Sequence, residues 1–171
     1  HTSVPNGYDR IADFLGHLAG EMALWSDALP THAGVAHVHF GGGSPNSLSR
    51  NDFSGLLASI SRRFAVRPGA EVAVELDPGN LDRDFARALG GAGVTRASLG
   101  VQTFDPDVQR LVNRIQPFER VEAAVADIRC GGIQALNFDM MYGLPGQTPG
   151  NVADSLRTAL SLAPDRVALF G

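Results

Sequence analysis

The chain has 171 residues, of which 44% are hydrophobic, so it can bury a sizeable core and one domain is the default expectation. The formal net charge of −4 argues against a nucleic acid or an anionic membrane as the main partner. No stretch approaches 18 consecutive apolar residues and no secretion signal opens the sequence, so we expect a soluble cytoplasmic protein. The single Cys130 excludes an internal disulfide and cannot hold a metal or cluster by itself, and we predict that it is a half-buried structural thiol.

The first half of the chain alternates predicted helices and strands. Apolar residues at helical spacing predict an opening helix over Tyr8–Trp25. A strand is predicted over Val35–Phe40, and Ser49 followed by Asp52 predicts the capped start of a helix that runs to about residue 60. The second strand is predicted over Glu71–Leu76.

Prolines and glycines mark the predicted boundaries in the second half of the chain. A short helix is predicted from about Leu81 to Gly90 and Gly91, followed by a strand over Arg96–Val101. Two helices are then predicted to start at Asp105-Pro106 and at Pro117, and the second of them ends near Gly131. The remaining predictions are a strand over Ile133–Met141, a helix from Thr148-Pro149 to Pro164, and a strand over Arg166–Phe170. Because helices separate the strands, we expect parallel pairing.

Four of the five predicted strands are apolar on one face and polar on the other. The polar residues include His37 and His39, Glu71 and Glu75, Ser98 and Gln102, and Asn137 and Asp139. Parallel strands are normally apolar on both faces, so a polar second face predicts an α/β fold whose sheet curls into a full or partial barrel with a polar ligand at its rim. A flavodoxin-like open sheet is the competing fold, and the alternation disfavours it.

The predicted elements begin with a helix and end with a strand. A barrel begins and ends on complementary elements. We therefore expect residues 1–171 to form a single partial barrel domain, a piece of a larger protein that has at least one further strand on each side.

Three consecutive glycines, Gly41, Gly42 and Gly43, follow the first predicted strand and precede Ser44 and Pro45. Without Cβ atoms, a ligand can approach the backbone closely, and Ser44 adds a hydroxyl. An ordinary tight turn is the alternative, but such a turn needs one glycine and rarely three in a row. No phosphate-loop or dinucleotide motif is present, so we expect a ligand contact other than a nucleotide phosphate.

Glu75, Gln102, Arg114 and Asp139 lie at three predicted strand ends and in one loop. Carboxylates accept hydrogen bonds from amines and vicinal hydroxyls, and a guanidinium binds a carboxylate through two parallel hydrogen bonds. A ligand with an amine, a carboxylate and a ribose would use all four residues. Each one alone also has an ordinary structural interpretation, such as a helix-end charge for Arg114, and their common strand parity favours a shared site.

His37 and His39 raise a second possibility, a zinc site in a barrel hydrolase with Asp139 as a further ligand or base. The other histidines fall in the terminus, the first helix and a connecting loop, at His1, His17 and His32. We prefer the interpretation that the pair lines the barrel near the ligand.

Five segments, in order and with compatible spacing, resemble the radical SAM core of the oxygen-independent coproporphyrinogen III oxidases. They are His39–Pro45, Glu75–Gly79, Leu99–Phe104, Val108–Arg114 and Asn137–Thr148. The resemblance implies a TIM-like barrel of the partial (β/α)6 type. It also implies two cofactors, S-adenosylmethionine and a 4Fe–4S cluster.

The resemblance further implies a role for each candidate residue. Gly42, Gly43 and Ser44 would face the methionyl amine of S-adenosylmethionine, Glu75 and Arg114 would engage its amino acid group, Gln102 and Asp139 would bind the ribose hydroxyls, and Tyr142–Pro145 would lie beside the adenine. Ser44 stands where the family usually has Thr, which keeps the hydroxyl.

In the family, the cluster is held by a cysteine motif that would precede His1, so we expect its ligands outside this chain and expect the 171 residues alone to be inactive. For the full protein, the resemblance implies oxidative decarboxylation of two propionates of coproporphyrinogen III to vinyl groups, which gives protoporphyrinogen IX. It also implies an electron donor such as flavodoxin or ferredoxin. No catalytic residue is assigned within this chain.

Two alternative functions remain besides the oxidase. Haem-chaperone paralogues share the same core but tend to carry a His at the position of Tyr142 and a different stretch before Arg114. A zinc-dependent barrel hydrolase would rely on the His37 and His39 pair.

Overall fold

Five parallel strands form the centre of the fold in the computed structural model, which describes residues 8–29 and 34–171. The strands are β1 (Val35–Phe40), β2 (Val66–Leu76), β3 (Arg96–Gln102), β4 (Ala135–Met141) and β5 (Arg166–Phe170). Each strand pairs in parallel with the next in the chain, so the order in the sheet is β1-β2-β3-β4-β5. The predicted bounds of β1 and β5 are confirmed.

Helices precede the first strand and connect the others. They are α1 (Tyr8–Ala28), α2 (Arg50–Arg63), α3 (Arg83–Ala92), α4 (Pro106–Leu111), α5 (Phe118–Cys130) and α6 (Pro149–Ser161), with short 3₁₀ turns at Pro45–Ser47 and Pro78–Asn80. The predicted helix starts are confirmed where a side chain accepts a hydrogen bond from a backbone N–H of the first turn, as Ser49, Asp105 and Thr148 do.

The strand order distinguishes between the two folds that the sequence allows. In a flavodoxin-like sheet the second strand lies at an edge and the first lies next to the third. Here the strands lie side by side in chain order, as in a barrel wall, and they form half of an α/β barrel. The partial barrel is therefore confirmed. All five carboxyl ends meet at one edge of the sheet, which brings the loops after the strands together.

The two faces of the half-barrel have different surroundings. The outer face packs on the helices, and its central side chains Val74, Leu99 and Phe138 are fully buried. The inner face carries polar residues, two of which, Ser98 and Asn137, are also buried. An apolar core therefore holds the strands in place while the polar face remains available for a site.

Several predicted boundaries differ from the structure, among them the starts of two strands. β2 begins at Val66, five residues before the predicted start, because Pro68 and Gly69 lie in an irregular part of its pairing with β1 and do not end the strand. β4 begins at Ala135 and not at Ile133, since the backbone N–H of Ile133 still donates to Ile128 O at the end of α5.

The sequence predicts that α3 ends at Gly90 and Gly91, and this prediction is wrong. Gly93, with a φ of 98°, ends this helix in the left-handed conformation. Gly90 lies within the helix, where a Cβ would come within 1.8 Å of the carbonyl oxygen of Gly131. Gly90 therefore permits the close packing of α3 on the end of α5.

Two further observations concern the described part of the chain. Cys130 is exposed at the end of α5, so the prediction of a half-buried thiol is wrong. None of the helices in residues 8–29 and 34–171 is both long enough and apolar enough to cross a lipid bilayer.

Candidate functional site

A cleft of about 430 Å³ lies at the edge where the carboxyl ends of the strands meet. All seven residues that the sequence predicts for ligand binding line it: Gly42, Gly43, Ser44, Glu75, Gln102, Arg114 and Asp139. Leu76, Asp77 and Gly100 complete the lining. Residues up to 97 positions apart in the sequence thus share one concave surface with both acidic and basic groups.

The glycine turn after β1 forms one side of the cleft. Gly42 has a φ of 96°, a conformation that other residues adopt at a cost. A Cβ added to Gly42 or Gly43 would meet no atom within 4 Å, so the backbone at both positions is open to a ligand. The Ser44 hydroxyl donates to Asn46 Oδ1, which directs it into the turn.

Asn46 fixes the glycine turn to the end of β2, a role that the sequence analysis missed. Its Nδ2 donates to Asp77 O at 2.9 Å, and its Oδ1 accepts from the backbone N–H of Asp77 at 3.3 Å. The only sequence signal is its place one residue after Pro45, in the segment that leaves the turn. Asn46 thereby sets the distance between the turn and Glu75.

Glu75 projects from the end of β2 and pairs with a histidine of β1. His39 Nε2 lies 2.8 Å from Glu75 Oε1, and about half of each side chain is exposed. A Cβ on Gly41 would lie 3.0 Å from both of these atoms, so the first glycine of the turn makes room for the pair. Glu75 keeps its second carboxylate oxygen for a ligand.

Arg114 and Gln102 form the opposite side. Arg114 Nη2 donates to Gly100 O at 2.9 Å and lies 3.8 Å from Asp77 Oδ1. Gln102 follows an irregularity in the pairing of β3 with β4 and has a φ of 67°. A Cβ on Gly100 would lie 3.1 Å from Gln102 Nε2 and 3.3 Å from Arg114 Nη2, so the absence of a side chain lets these two groups approach.

The Nε atom of Arg114 is buried and has no hydrogen-bond partner within the described residues. A buried donor without a partner is uncommon, because losing its contact with water costs about 1 to 3 kcal/mol. An anionic ligand oxygen is a suitable acceptor for a guanidinium. Arg96 Nε, outside the cleft, is also buried without a partner, so this property alone assigns no ligand. The Arg114 side chain lines the cleft and is 36% exposed, so it places positive charge on this side.

Asp139, at the end of β4, is half-buried on the inner face. Burial raises the pKa of its carboxyl, the nearby negative charge of Glu75 adds to this, and a hydrogen bond from Asn137 opposes it. Asn137 Nδ2 donates to Asp139 Oδ1 at 2.8 Å and to Ser98 Oγ at 2.6 Å. Ser98 and Asn137 thus orient Asp139 from below, and their period-two spacing along the strands is the signal that could have identified them.

The two histidines of β1 lie against acidic residues of β2. His37 Nδ1 is 3.9 Å from Glu71 Oε1, and Glu71 also accepts a 3.0 Å hydrogen bond from Arg96 Nη2, which lowers the pKa of Glu71. Within residues 8–29 and 34–171, no group of three or more His, Cys, Asp or Glu side chains is arranged to hold a metal ion. His1 and His32 lie outside the described residues. The described geometry therefore gives the zinc hydrolase alternative no support.

The predicted adenine-side loop begins at Tyr142, beyond the end of β4. The Tyr142 N–H donates to Phe170 O at 2.8 Å, and its ring covers the Cα of Gly171, where a Cβ would come within 2.3 Å of the ring. Tyr142 is half-exposed and lies on the β5 side of the same edge, outside the lining of the cleft.

A larger groove, of about 670 Å³, runs between α1, β1 and α2. It shares Gly43 and Ser44 with the cleft, but most of its lining is apolar, as at Phe14, Leu18 and Met22. Volume alone would favour this groove as the ligand site. We favour the smaller cleft because charged and polar groups converge on it from three strands and one loop.

The sequence matches a family model described as the radical SAM superfamily over residues 20–159. An oxygen-independent coproporphyrinogen III oxidase of Bradyrhizobium diazoefficiens is 46% identical over the whole chain, which spans 38% of that protein. An oxidase of the same name from Paracoccus denitrificans is 40% identical over 90% of the chain, and the match spans 34% of that protein.

Among solved structures, the coproporphyrinogen III oxidase of Escherichia coli, described as a radical SAM enzyme, superposes with a TM-score of 0.91 at 33% identity. The match covers 99% of this chain and 39% of that one. The chain therefore spans between about a third and two fifths of the length of these three relatives.

Proposed function

Because the chain belongs to the radical SAM superfamily, we propose that the cleft at the carboxyl ends of its strands binds S-adenosylmethionine. One observation carries the proposal: the seven residues predicted for this ligand line a single cleft. The superfamily match concerns the chain as a whole. The geometry of the cleft supports the assignment of individual residues.

In this proposal each part of the ligand meets a complementary group. The methionyl amine donates to Glu75, and the methionyl carboxylate binds the exposed part of the Arg114 guanidinium, which lines the cleft. The bare backbone at Gly42 and Gly43 lets the ligand approach closely. Ser44, Gln102 and Asp139 complete the site, the last two at the ribose hydroxyls. Ser44 contributes through its position in the turn, because its hydroxyl already donates to Asn46.

The second cofactor of the superfamily does not fit the described residues. A 4Fe–4S cluster is held by cysteine thiolates, and the single Cys130 lies at the exposed end of α5, away from the cleft. The residues of this chain therefore do not supply the cysteine ligands of the cluster. Their part is to bind the nucleoside and the amino acid group and to orient them at the edge of the barrel.

For the full protein we propose oxidative decarboxylation of coproporphyrinogen III propionates to vinyl groups, giving protoporphyrinogen IX, because relatives with this name match 90% or more of the chain. When bound with its cluster, S-adenosylmethionine supplies one-electron chemistry that abstracts hydrogen from an unactivated carbon. The proposal includes a cytoplasmic location, an electron donor such as flavodoxin or ferredoxin, and a single core domain over residues 1–171. An anaerobic assay of coproporphyrinogen III consumption by the reduced full-length protein tests the reaction.

Ligand binding is tested separately, by calorimetric titration of the full-length protein with the unreactive analogue S-adenosylhomocysteine. Glu75→Gln should weaken binding by roughly tenfold or more, since it keeps an acceptor but removes the negative charge that attracts the ligand ammonium group. Glu71→Gln is the matched control, because Glu71 lies on the same face of β2, four residues earlier and outside the cleft. Equal losses in both variants, or no binding by the wild type, would contradict the proposal.

A further inference from the structure

Gln109 is a buried residue in α4 that lines no part of the cleft and is only 5% exposed. Its Nε2 donates to Thr103 O at 2.9 Å and to Gln116 O at 2.8 Å. Its Oε1 accepts from the backbone N–H of Gln116 at 2.9 Å. One side chain therefore satisfies three backbone groups, one just after β3 and two at the far end of the loop that follows α4.

Gln116 continues this network toward the cleft. This residue is 3% exposed, and its side chain donates to Gly100 O at 3.3 Å and to Val101 O at 3.4 Å. Gly100 O is also the acceptor for Arg114 Nη2. The guanidinium and the buried amide of Gln116 therefore share one backbone oxygen at the end of β3.

Arg114 itself lies at the point where α4 ends. The N–H of Asn113 donates to Arg110 O at 3.2 Å, and the N–H of Arg114 donates to Gln109 O at 2.8 Å. Asn113 has a φ of 52°, so the helix ends through a left-handed residue that is not glycine. Such a conformation persists when surrounding contacts fix it, and here Gln109 supplies them through both its backbone and its side chain.

We propose that Gln109 is a positioning residue, which by bonding Thr103 and Gln116 sets the guanidinium of Arg114 to receive the ligand carboxylate. The inference rests on the proposed binding of S-adenosylmethionine and extends it to a residue that does not touch the ligand. Glutamine suits this role because the network needs two donors and one acceptor from the same side chain. Glutamate would keep only the acceptor, and methionine, of similar length, would lose all three bonds.

The test compares two unreactive ligands that differ in a single group, S-adenosylhomocysteine and its decarboxylated analogue. Wild-type full-length protein should prefer the carboxylate form by roughly tenfold or more, through Arg114. Gln109→Met and Gln109→Glu should bring the ratio of the two affinities close to one. Both variants should bind the decarboxylated analogue nearly as tightly as the wild type does. Circular dichroism and thermal unfolding establish that each variant is folded before it is titrated.

Gln147→Met is the matched control. Gln147 also stabilises a loop at the same edge of the sheet, donating to Met141 O at 3.1 Å and accepting from the N–H of Leu144 at 3.2 Å, but it has no contact with the Arg114 network. Its substitution should change the affinity for both ligands by the same factor and leave the preference intact.

The outcomes separate the two proposals. If the wild type binds neither ligand, the proposed function fails. If the wild type shows the preference and both Gln109 variants keep it, the positioning role of Gln109 is wrong. Arg114→Met should abolish the preference, and the Gln109 variants should reduce it. If adding Gln109→Met to Arg114→Met causes no further loss of affinity for S-adenosylhomocysteine, the two residues act through one contact.

Discussion

The two sides of the cleft are held in place by different kinds of interaction. On the first side, the β1–β2 wall, Glu75 pairs with His39, and these side chains are 45% and 49% exposed. On the second side, the β3 wall, Arg114 depends on two glutamines that are 5% and 3% exposed. Exposed ion pairs are weak because water screens them, whereas a buried polar group is costly to leave without its partner. The comparison indicates that the β1–β2 wall tolerates side-chain changes and that the β3 wall does not.

The largest expected effect comes from the β3 wall. Gln109→Leu removes the partners of Thr103 O and of both backbone groups of Gln116. At about 1 kcal/mol or more for each buried group left unsatisfied, the free energy of unfolding should fall by roughly 3 kcal/mol. Urea denaturation monitored by circular dichroism measures this fall.

The matched control for that prediction is Gln147→Leu. Gln147 bonds one backbone N–H and one carbonyl at a partly exposed position, so its loss should cost about 1 kcal/mol. If the two variants lose the same stability, burial does not distinguish the walls in the way that we argue.

The next effect is on the β1–β2 wall, where the backbone and not a side chain is the sensitive part. Gly42→Ala places a Cβ on a residue with a φ of 96°, which should cost about 1 to 2 kcal/mol of stability. Gly43→Ala is the control, because Gly43 is not in the left-handed region and an added Cβ meets nothing within 4 Å. Gly43→Ala should leave the unfolding midpoint unchanged while weakening S-adenosylhomocysteine binding, since its Cβ would enter the cleft.

These predictions rest on features that the sequence reveals to different degrees. The alternation of polar and apolar residues predicted the strands and the partial barrel, because a period of two is a local property of the chain. It also predicted the side chains that share the inner face, such as Glu75 and Asp139. The early start of β2 could not be predicted, since Pro68 and Gly69 are tolerated only through their pairing with β1.

The supporting residues of the site were harder to find. Asn46, Gln109 and Gln116 bond backbone groups that are distant in space or separated by a loop, and no spacing rule connects them. Glutamine in a short helix usually indicates solvent exposure, and at Gln109 the opposite holds. The sequence therefore predicts residues that the structure places in one cleft, whereas the residues that fix their geometry are found only in the structure.

A smaller effect is expected at Asp139, which lies at the end of β4, next to the β3 wall. Burial raises the pKa of its carboxyl, so the folded state holds the proton more tightly than the unfolded state does. The stability associated with this group is present in acid and falls as pH rises from about 3.8, the ordinary value for Asp, through the raised pKa. Asp139→Asn keeps an acceptor for Asn137 and removes this fall, so it should gain stability relative to wild type between pH 3 and about pH 7.

Glu71 provides the opposite sign for comparison. The hydrogen bond from Arg96 lowers the pKa of Glu71, so its contribution to stability is present above the ordinary value of 4.5 and is lost as pH falls through the lowered pKa. Glu71→Gln should therefore lose stability relative to wild type near pH 7 and lose less in acid. Parallel pH trends for Asp139→Asn and Glu71→Gln in urea titrations would mean that the causes assigned to the two shifts are wrong.

The smallest effect is expected at the hydrogen-bonded pair of the β1–β2 wall, His39 and Glu75. His39 Nε2 and Glu75 Oε1 are only 2.8 Å apart, but both side chains are about half-exposed, so His39→Ala should change the free energy of unfolding by less than about 1 kcal/mol. At a pH acid enough to protonate the imidazole, the change should shrink further in 1 M salt, which screens charges beyond about 3 Å. His39→Gln keeps a donor for Glu75 and serves as the control for S-adenosylhomocysteine affinity. A loss above 2 kcal/mol for His39→Ala, unaffected by salt, would show that the exposed wall is as rigidly held as the buried one, and the contrast between them would no longer stand.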